Sequence, residues 1–307
     1  MTPIDRDRIA RAASALAGGP LDPTPARLDA WRQLHYAAQV ASEVGKAWGA
    51  VQADDSHSSF GWEGEGLVGA WIPAARRFRA ALRARDLELS LVDERGTALA
   101  RRALDGVKLD PAMAWVRDAA QRAAGEPPRQ AAVPAPDLPP HAVAGGAPFS
   151  VDPSAFDALA QMLAGASAVL ADAAAQLGAG PVRVWPHHFD MATLAAIEER
   201  AGSAVKTIGV GLAPPDPTAA AGYWYVSPWA QREPAAPPRW PALAHGRWVE
   251  RGGALRMAAL PLDELAALRG GSPRADAIAG FLAGAIDAGR AGLDGPPGES
   301  AYSPSMR

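Results

Sequence analysis

The sequence predicts an α+β protein in which antiparallel sheets are covered by long helices, and three observations carry that prediction. Apolar residues recur at spacings of three and four near residues 24–51 and 152–177. After each of these segments the period drops to two, in short runs separated by turn residues. The order helix, strands, closing helix occurs in both parts of the chain, which predicts two similarly ordered halves.

In the first half, residues 1–125, Thr24-Pro25 supplies an N-cap and a proline at the first helical position. The helix it opens is expected to run to about Val51, with Trp31, His35, Ala38, Ser42 and Gly45 along one side. His35 on that side reads as a core or supporting histidine. From Asp55 to Leu104, Phe60, Trp62 and Trp71-Ile72 mark strands, while Phe78, Ala80 and Leu82, then Leu87, Leu89 and Leu91, alternate. Ala84-Arg85-Asp86 and Glu94-Arg95-Gly96 read as hairpin turns. Asp110-Pro111 starts a helix that ends before Gly125.

Residues 126–149 are Pro-rich and read as a connector. In the second half, residues 150–290, Asp152-Pro153 opens a helix carrying Phe156, Leu159, Leu163, Ala166, Leu170, Ala173 and Leu177 on one seam. A strand to about Trp185 follows, then Met191–Arg200 with helical composition, then strands at Val205–Leu212 and Tyr223–Val226. A hairpin around Gly252-Gly253 and helices at Pro261–Leu268 and Ser272–Gly289 complete this half. The tail, residues 291–307, is expected to be flexible.

Composition narrows the function classes. With 49% hydrophobic and 21% charged residues, the chain has a soluble globular balance. A net charge of −3 gives no footprint for nucleic acid; Arg76, Arg77, Arg79, Arg83 and Arg85 form a local basic run that reads as the solvent face of a strand. The absence of cysteine excludes disulfides, a thiolate nucleophile and cysteine-ligated zinc or iron–sulfur centres. The charged N-terminus does not read as a secretory signal, and no stretch of about 18 uninterrupted apolar residues is present, so a cytoplasmic protein without a membrane partner is expected.

Polar chemistry concentrates in Pro181–Trp229, above all in Val182-Arg-Val-Trp-Pro-His-His-Phe-Asp190. If the extended path of Val182–Trp185 continues, Trp185, His187 and Phe189 share one face and Pro186, His188 and Asp190 the other. His188 and Asp190, two residues apart at a strand end, form the candidate catalytic pair: two metal ligands, or a histidine base oriented by a carboxylate. With His57 they form a candidate metal set for a divalent transition ion, with His35 or His245 as further candidates. Trp185, His187, Tyr223 and Tyr225 are the candidate ligand-binding residues, in an aromatic cluster that also holds Trp224 and Trp229. Each of these residues also has a bland reading, as core packing or a satisfied polar pair. The full dinucleotide fingerprint, GxSxG, HExxH and the P-loop are missing.

The segments VRVWPHHFDMATL, IGVGLAPPDP and YWYVSPW resemble a bacterial family known only as a domain of unknown function, whose members carry a WPHHFD-type motif. The resemblance spans roughly Trp31 to Leu262 and extends to LHxxAQ at Leu34–Gln39, Gly45-Lys46 and His57. It implies that the central stretch matters, and it implies no reaction, substrate or cofactor. Where the family has Trp-His-Thr-Glu after the second Pro-rich loop, this chain reads Trp248, Val249, Glu250 and Arg251.

Three function classes follow. The first is a metal- or base-dependent enzyme, for example a hydrolase, centred on His188 and Asp190. The second is a non-catalytic protein that binds a small molecule in an aromatic pocket. The third is a structural or interaction protein.

Overall fold

A computed structural model describes residues 3–19, 21–129, 136–250 and 252–294 of the chain. The described residues form helices and antiparallel strands, so the mixed α+β class holds. They divide into two compact units that interleave along the sequence: unit I from the described parts of residues 1–22, 165–182 and 192–307, and unit II from those of 23–164 and 183–191.

Unit II is built on helix α2 (Pro25–Trp48), which begins as the sequence predicts: Pro25 occupies the first turn and the Thr24 hydroxyl accepts from Arg27 N at 3.3 Å. Strands β1 (Phe60–Glu63), β2 (Gly66–Gly69), β3 (Phe78–Arg83), β4 (Glu88–Asp93) and β5 (Ala98–Ala103) pair antiparallel in sequence order, and β6 (Arg183–Val184) pairs with β1 at Phe60↔Val184. Period-two burial turns Phe78, Ala80, Leu82, Leu89 and Leu91 inward, and α2 packs against β2, β3 and helix α3 (Leu109–Ala124). The arginine run carries its own counter-charges. Arg76 binds Asp93, Arg77 binds Glu94 at 2.7 Å, Arg79 binds Glu63 at 2.5 Å, Arg83 binds Asp86 at 2.6 Å and Arg85 reaches Glu65 at 3.2 Å.

Unit I opens with α1 (Arg6–Gly18), a helix ahead of the one the sequence reading starts from, capped by Asp5 accepting from Arg8 N at 3.0 Å. It packs along α6 (Gly271–Leu293), which lies against β8 (Ser203–Ala213), β9 (Tyr223–Ala230) and β11 (Arg256–Pro261). Strand order in this unit is β10 (Arg247–Glu250), β11, β9, β8, β7 (Met191–Arg200). Helix α5 (Leu262–Ala267) follows β11.

Helix α4 (Pro153–Leu177) contributes residues to both units, and Asp152 accepts from Ser154 N and Ala155 N at 3.0 and 3.1 Å at its start. Its predicted seam, Phe156 to Leu177, is buried. By length and composition it would also suffice to cross a membrane, with half of its apolar window buried inside the protein.

Two local readings are corrected. Met191–Arg200, helical by composition, is strand β7, because pairing outweighs propensities that differ by only about 0.7 kcal/mol per residue. Ala201 and Gly202 both take left-handed backbone, φ +50° and +76°, the requirement of a two-residue hairpin turn between β7 and β8. The strand expected to reach about Trp185 ends at Val184, and the extended path beyond it is replaced by a turn. Of the predicted flexible tail, residues 295–307 lie outside the described residues, as do 130–135 of the connector.

Gly45 on α2 is set by close approach: a Cβ there would stand 2.1 Å from the carbonyl oxygen of His57. Gly45→Ala should destabilise the protein by about 1–3 kcal/mol in urea unfolding, despite the better helix propensity of alanine. An unchanged midpoint would contradict this packing.

Candidate functional site

The site is built on four positions of α2, His35, Gln39, Ser42 and Lys46, whose spacings of four, three and four place them on one helical stripe. His35, Gln39 and Ser42 are buried, at 2%, 6% and 1% exposure. Buried polar groups need partners, and here the partner is a single backbone carbonyl. His35 Nε2 donates to Pro186 O at 2.9 Å and Gln39 Nε2 donates to the same oxygen at 2.5 Å. Ser42 Oγ bonds Gln39 O at 3.0 Å, and Lys46 Nζ reaches Gln39 Oε1 at 3.4 Å.

The segment that receives these bonds is a tight turn, which corrects the extended geometry expected of it. Phe189 N donates to Trp185 O at 2.7 Å and Trp185 N donates to Asp190 O at 3.0 Å, closing the chain on itself across Pro186, His187 and His188. Phe189 takes left-handed backbone at φ +59°, costly for a phenylalanine, and its ring stacks on His35 with centroids 4.9 Å apart and planes at 16°. The predicted two-face alternation therefore does not apply: His187 and His188 sit side by side, ring centroids 4.6 Å apart, with Trp185 edge-on to His187 at 6.1 Å.

Two histidines are pushed towards neutrality. Burial lowers the pKa of His35 to about 4, against the opposing pull of the Pro186 carbonyl. A carbonyl only accepts, so neutral His35 carries its proton on Nε2. Burial also lowers His187, and His188 and Lys46 add to the effect, while Asp190 and Asp55 oppose it. His188 is exposed, and its Nδ1 lies 3.8 Å from Asp137 Oδ2. Asp137 comes from the Pro-rich connector, and its backbone N–H donates to His187 O at 2.7 Å.

Of the other sequence candidates, His57 lies beside Gly45 of α2, and Tyr223, Tyr225 and His245 belong to unit I. His57 is buried in a single 3-10 turn, Ser56–Ser58, where Nδ1 accepts from Gln52 N at 3.3 Å and Nε2 has no hydrogen-bond partner among the described residues. Among the described residues no group of three or more His, Asp or Glu is arranged to hold a metal ion. Tyr223 and Tyr225 belong to unit I, on one face of β9 with rings 6.3 Å apart, and the Tyr223 hydroxyl donates to Asp216 Oδ2 at 2.7 Å. Trp224, on the other face, is fully buried. His245 lies 3.9 Å from Glu264, also in unit I.

No protein-family model, no curated protein and no solved structure matches this chain. The chemistry of the site therefore rests on the geometry alone.

Gln39, Lys46 and Asp137 are the members that residue-by-residue reasoning missed. The available signal was the recurrence of polar residues at 35, 39, 42 and 46, at the spacing of one helical stripe.

The neutral state of His35 sets a pH dependence. Its folded pKa lies below its unfolded value of 6.5, so its contribution to stability is complete above pH 6.5 and is lost as pH falls towards 4. The loss should be on the order of 3 kcal/mol. Urea unfolding between pH 7 and 4 should show a steeper fall for wild type than for His35→Leu; superimposable slopes would contradict the assignment.

Proposed function

We propose that the Trp185–Asp190 turn is a preformed binding site for a small molecule. His188 and Asp190 contact the ligand, and Trp185 and His187 form its wall. The observation that carries this reading is the convergence of His35 and Gln39 on the Pro186 carbonyl. Two buried donors fix the backbone between them, so two imidazoles reach the surface with little conformational entropy left to lose on binding. A turn that served only to connect β6 to β7 would not require polar side chains inside α2. The similarly ordered halves read from the sequence belong to the same proposal, supported by the element order α2, β1 to β5, α3 and α4, β6 to β11, α6.

Metal-assisted hydrolysis at the same turn is the narrower form. It is favoured by the lowered pKa of His187, since neutral imidazole is the ligating form, and it requires a third ligand beyond His188 and Asp190. A second location is favoured by an open cleft of about 380 Å³ in unit I, lined by Ala219, Arg247, Pro261, Asp263 and Glu264. There Ala219 also packs against the cluster around Tyr223, with Tyr225 beside it.

The test is a fragment panel of neutral and charged small molecules, followed through the backbone amide resonances of residues 185–190, with metal content measured by elemental mass spectrometry on tag-free protein. At least one fragment should move these resonances saturably, and His188→Ala should weaken it about tenfold or more while leaving Tm within about 2 °C, since His188 is exposed. A panel that leaves the turn unmoved would overturn the proposal. One equivalent of zinc, manganese or iron, lost in His188→Ala, would select the metal-dependent form.

A further inference from the structure

Among the described residues, Lys46 beside the turn makes no ion pair, and its ammonium reaches only the Gln39 amide oxygen. We propose that the ligand of this site carries a carboxylate, and that the Lys46 ammonium receives it; this rests on the reading of the turn as a binding site.

Lys46 continues the stripe that clamps the turn, seven residues beyond Gln39, and it is half-buried. Its one hydrogen bond among the described residues is the 3.4 Å contact to the neutral Gln39 amide oxygen, and no carboxylate lies within 4 Å of it. Glu43, the acid one turn earlier, is engaged by Arg117 at 2.7 Å. A partly desolvated ammonium with one long neutral contact keeps donors to spare, and an arriving oxyanion would supply the charge-assisted bonds it lacks. Gln39 links the two roles, because its Nε2 holds the Pro186 carbonyl while its Oε1 orients Lys46.

The charges that meet here come from several elements. Lys46 and the paired Glu43 lie on α2, Asp55 precedes the 3-10 turn, His187, His188 and Asp190 lie on the turn, and Asp137 lies on the connector. Asp137 is 83% exposed and already beside His188, so it leaves Lys46 unneutralised. A cationic ligand would add positive charge to a half-buried ammonium. A carboxylate accepts from Lys46 and from an imidazole N–H of the histidine pair, while Asp190 accepts from a donor group elsewhere on the same ligand, away from the carboxylate. Burial holds the Lys46 pKa below its ordinary value, with the Glu43 carboxylate pulling the other way.

The experiment titrates sodium acetate and its neutral isostere acetamide into wild type, Lys46→Met and Lys46→Gln at constant ionic strength, reading the amide resonances of residues 185–190. Acetate should bind wild type at least tenfold more tightly than acetamide, and both variants should lose that preference. The second variant covers the case in which the first fails to fold. Equal binding of acetate and acetamide, or a preference unchanged in the variants, would overturn the role of Lys46 while leaving the binding turn in place. Silence from both probes in all three proteins would overturn the binding turn as well. Inorganic phosphate bound through Lys46 more tightly than acetate would overturn the carboxylate in favour of a phosphate.

Discussion

The carbonyl oxygen of Pro186 is the point on which unit II is organised around its histidines. It accepts from both His35 and Gln39 inside a helix that is otherwise packed with Trp31, Leu34, Ala38 and Ala41. Burying an imidazole and an amide there would cost several kcal/mol without a partner. The turn supplies that partner, so α2 and the HHFD segment each complete the other. The left-handed Phe189 fits the same logic: its backbone strain is sustained because the ring stacks on His35 and the turn is closed at both ends by hydrogen bonds.

Much of this was legible in the residues, and the parts that were not have physical reasons. Thr24-Pro25, the seam from Phe156 to Leu177 and the alternation of Phe78, Ala80 and Leu82 are local signals that set the element type directly. Met191–Arg200 has helical composition because alanine, leucine and glutamate favour helix, whereas the strand is dictated by a hairpin whose turn, Ala201-Gly202, lacks the usual asparagine or aspartate. The HHFD segment could be recognised as chemistry but not as a turn, because a positive φ at phenylalanine has no sequence signature. Asp137 was hidden for a simpler reason: sequence gives no distance between residue 137 and residue 188.

Electrostatics distinguish the arginine run of unit II from its turn. The basic run in and around β3 is matched arginine by arginine with nearby carboxylates, so its charges are spent locally and contribute little to long-range attraction. At the turn the balance is incomplete: a half-buried lysine, a buried neutral histidine and a second histidine driven towards neutrality lie together. Perturbed groups of this kind cluster where a protein binds or reacts more often than where it merely packs. Unit I carries its own apolar cluster around Tyr223 and Ala259, with the open cleft beside Arg247.

The most direct test of this account is the protonation state of His35, read from long-range proton–nitrogen correlations of histidine-labelled protein at pH 7. The account predicts a neutral ring with its proton on Nε2, protected from exchange by the Pro186 carbonyl and by burial. A charged ring, or a proton on Nδ1 with Nε2 bare, would contradict the clamp on which the turn and its proposed ligand depend.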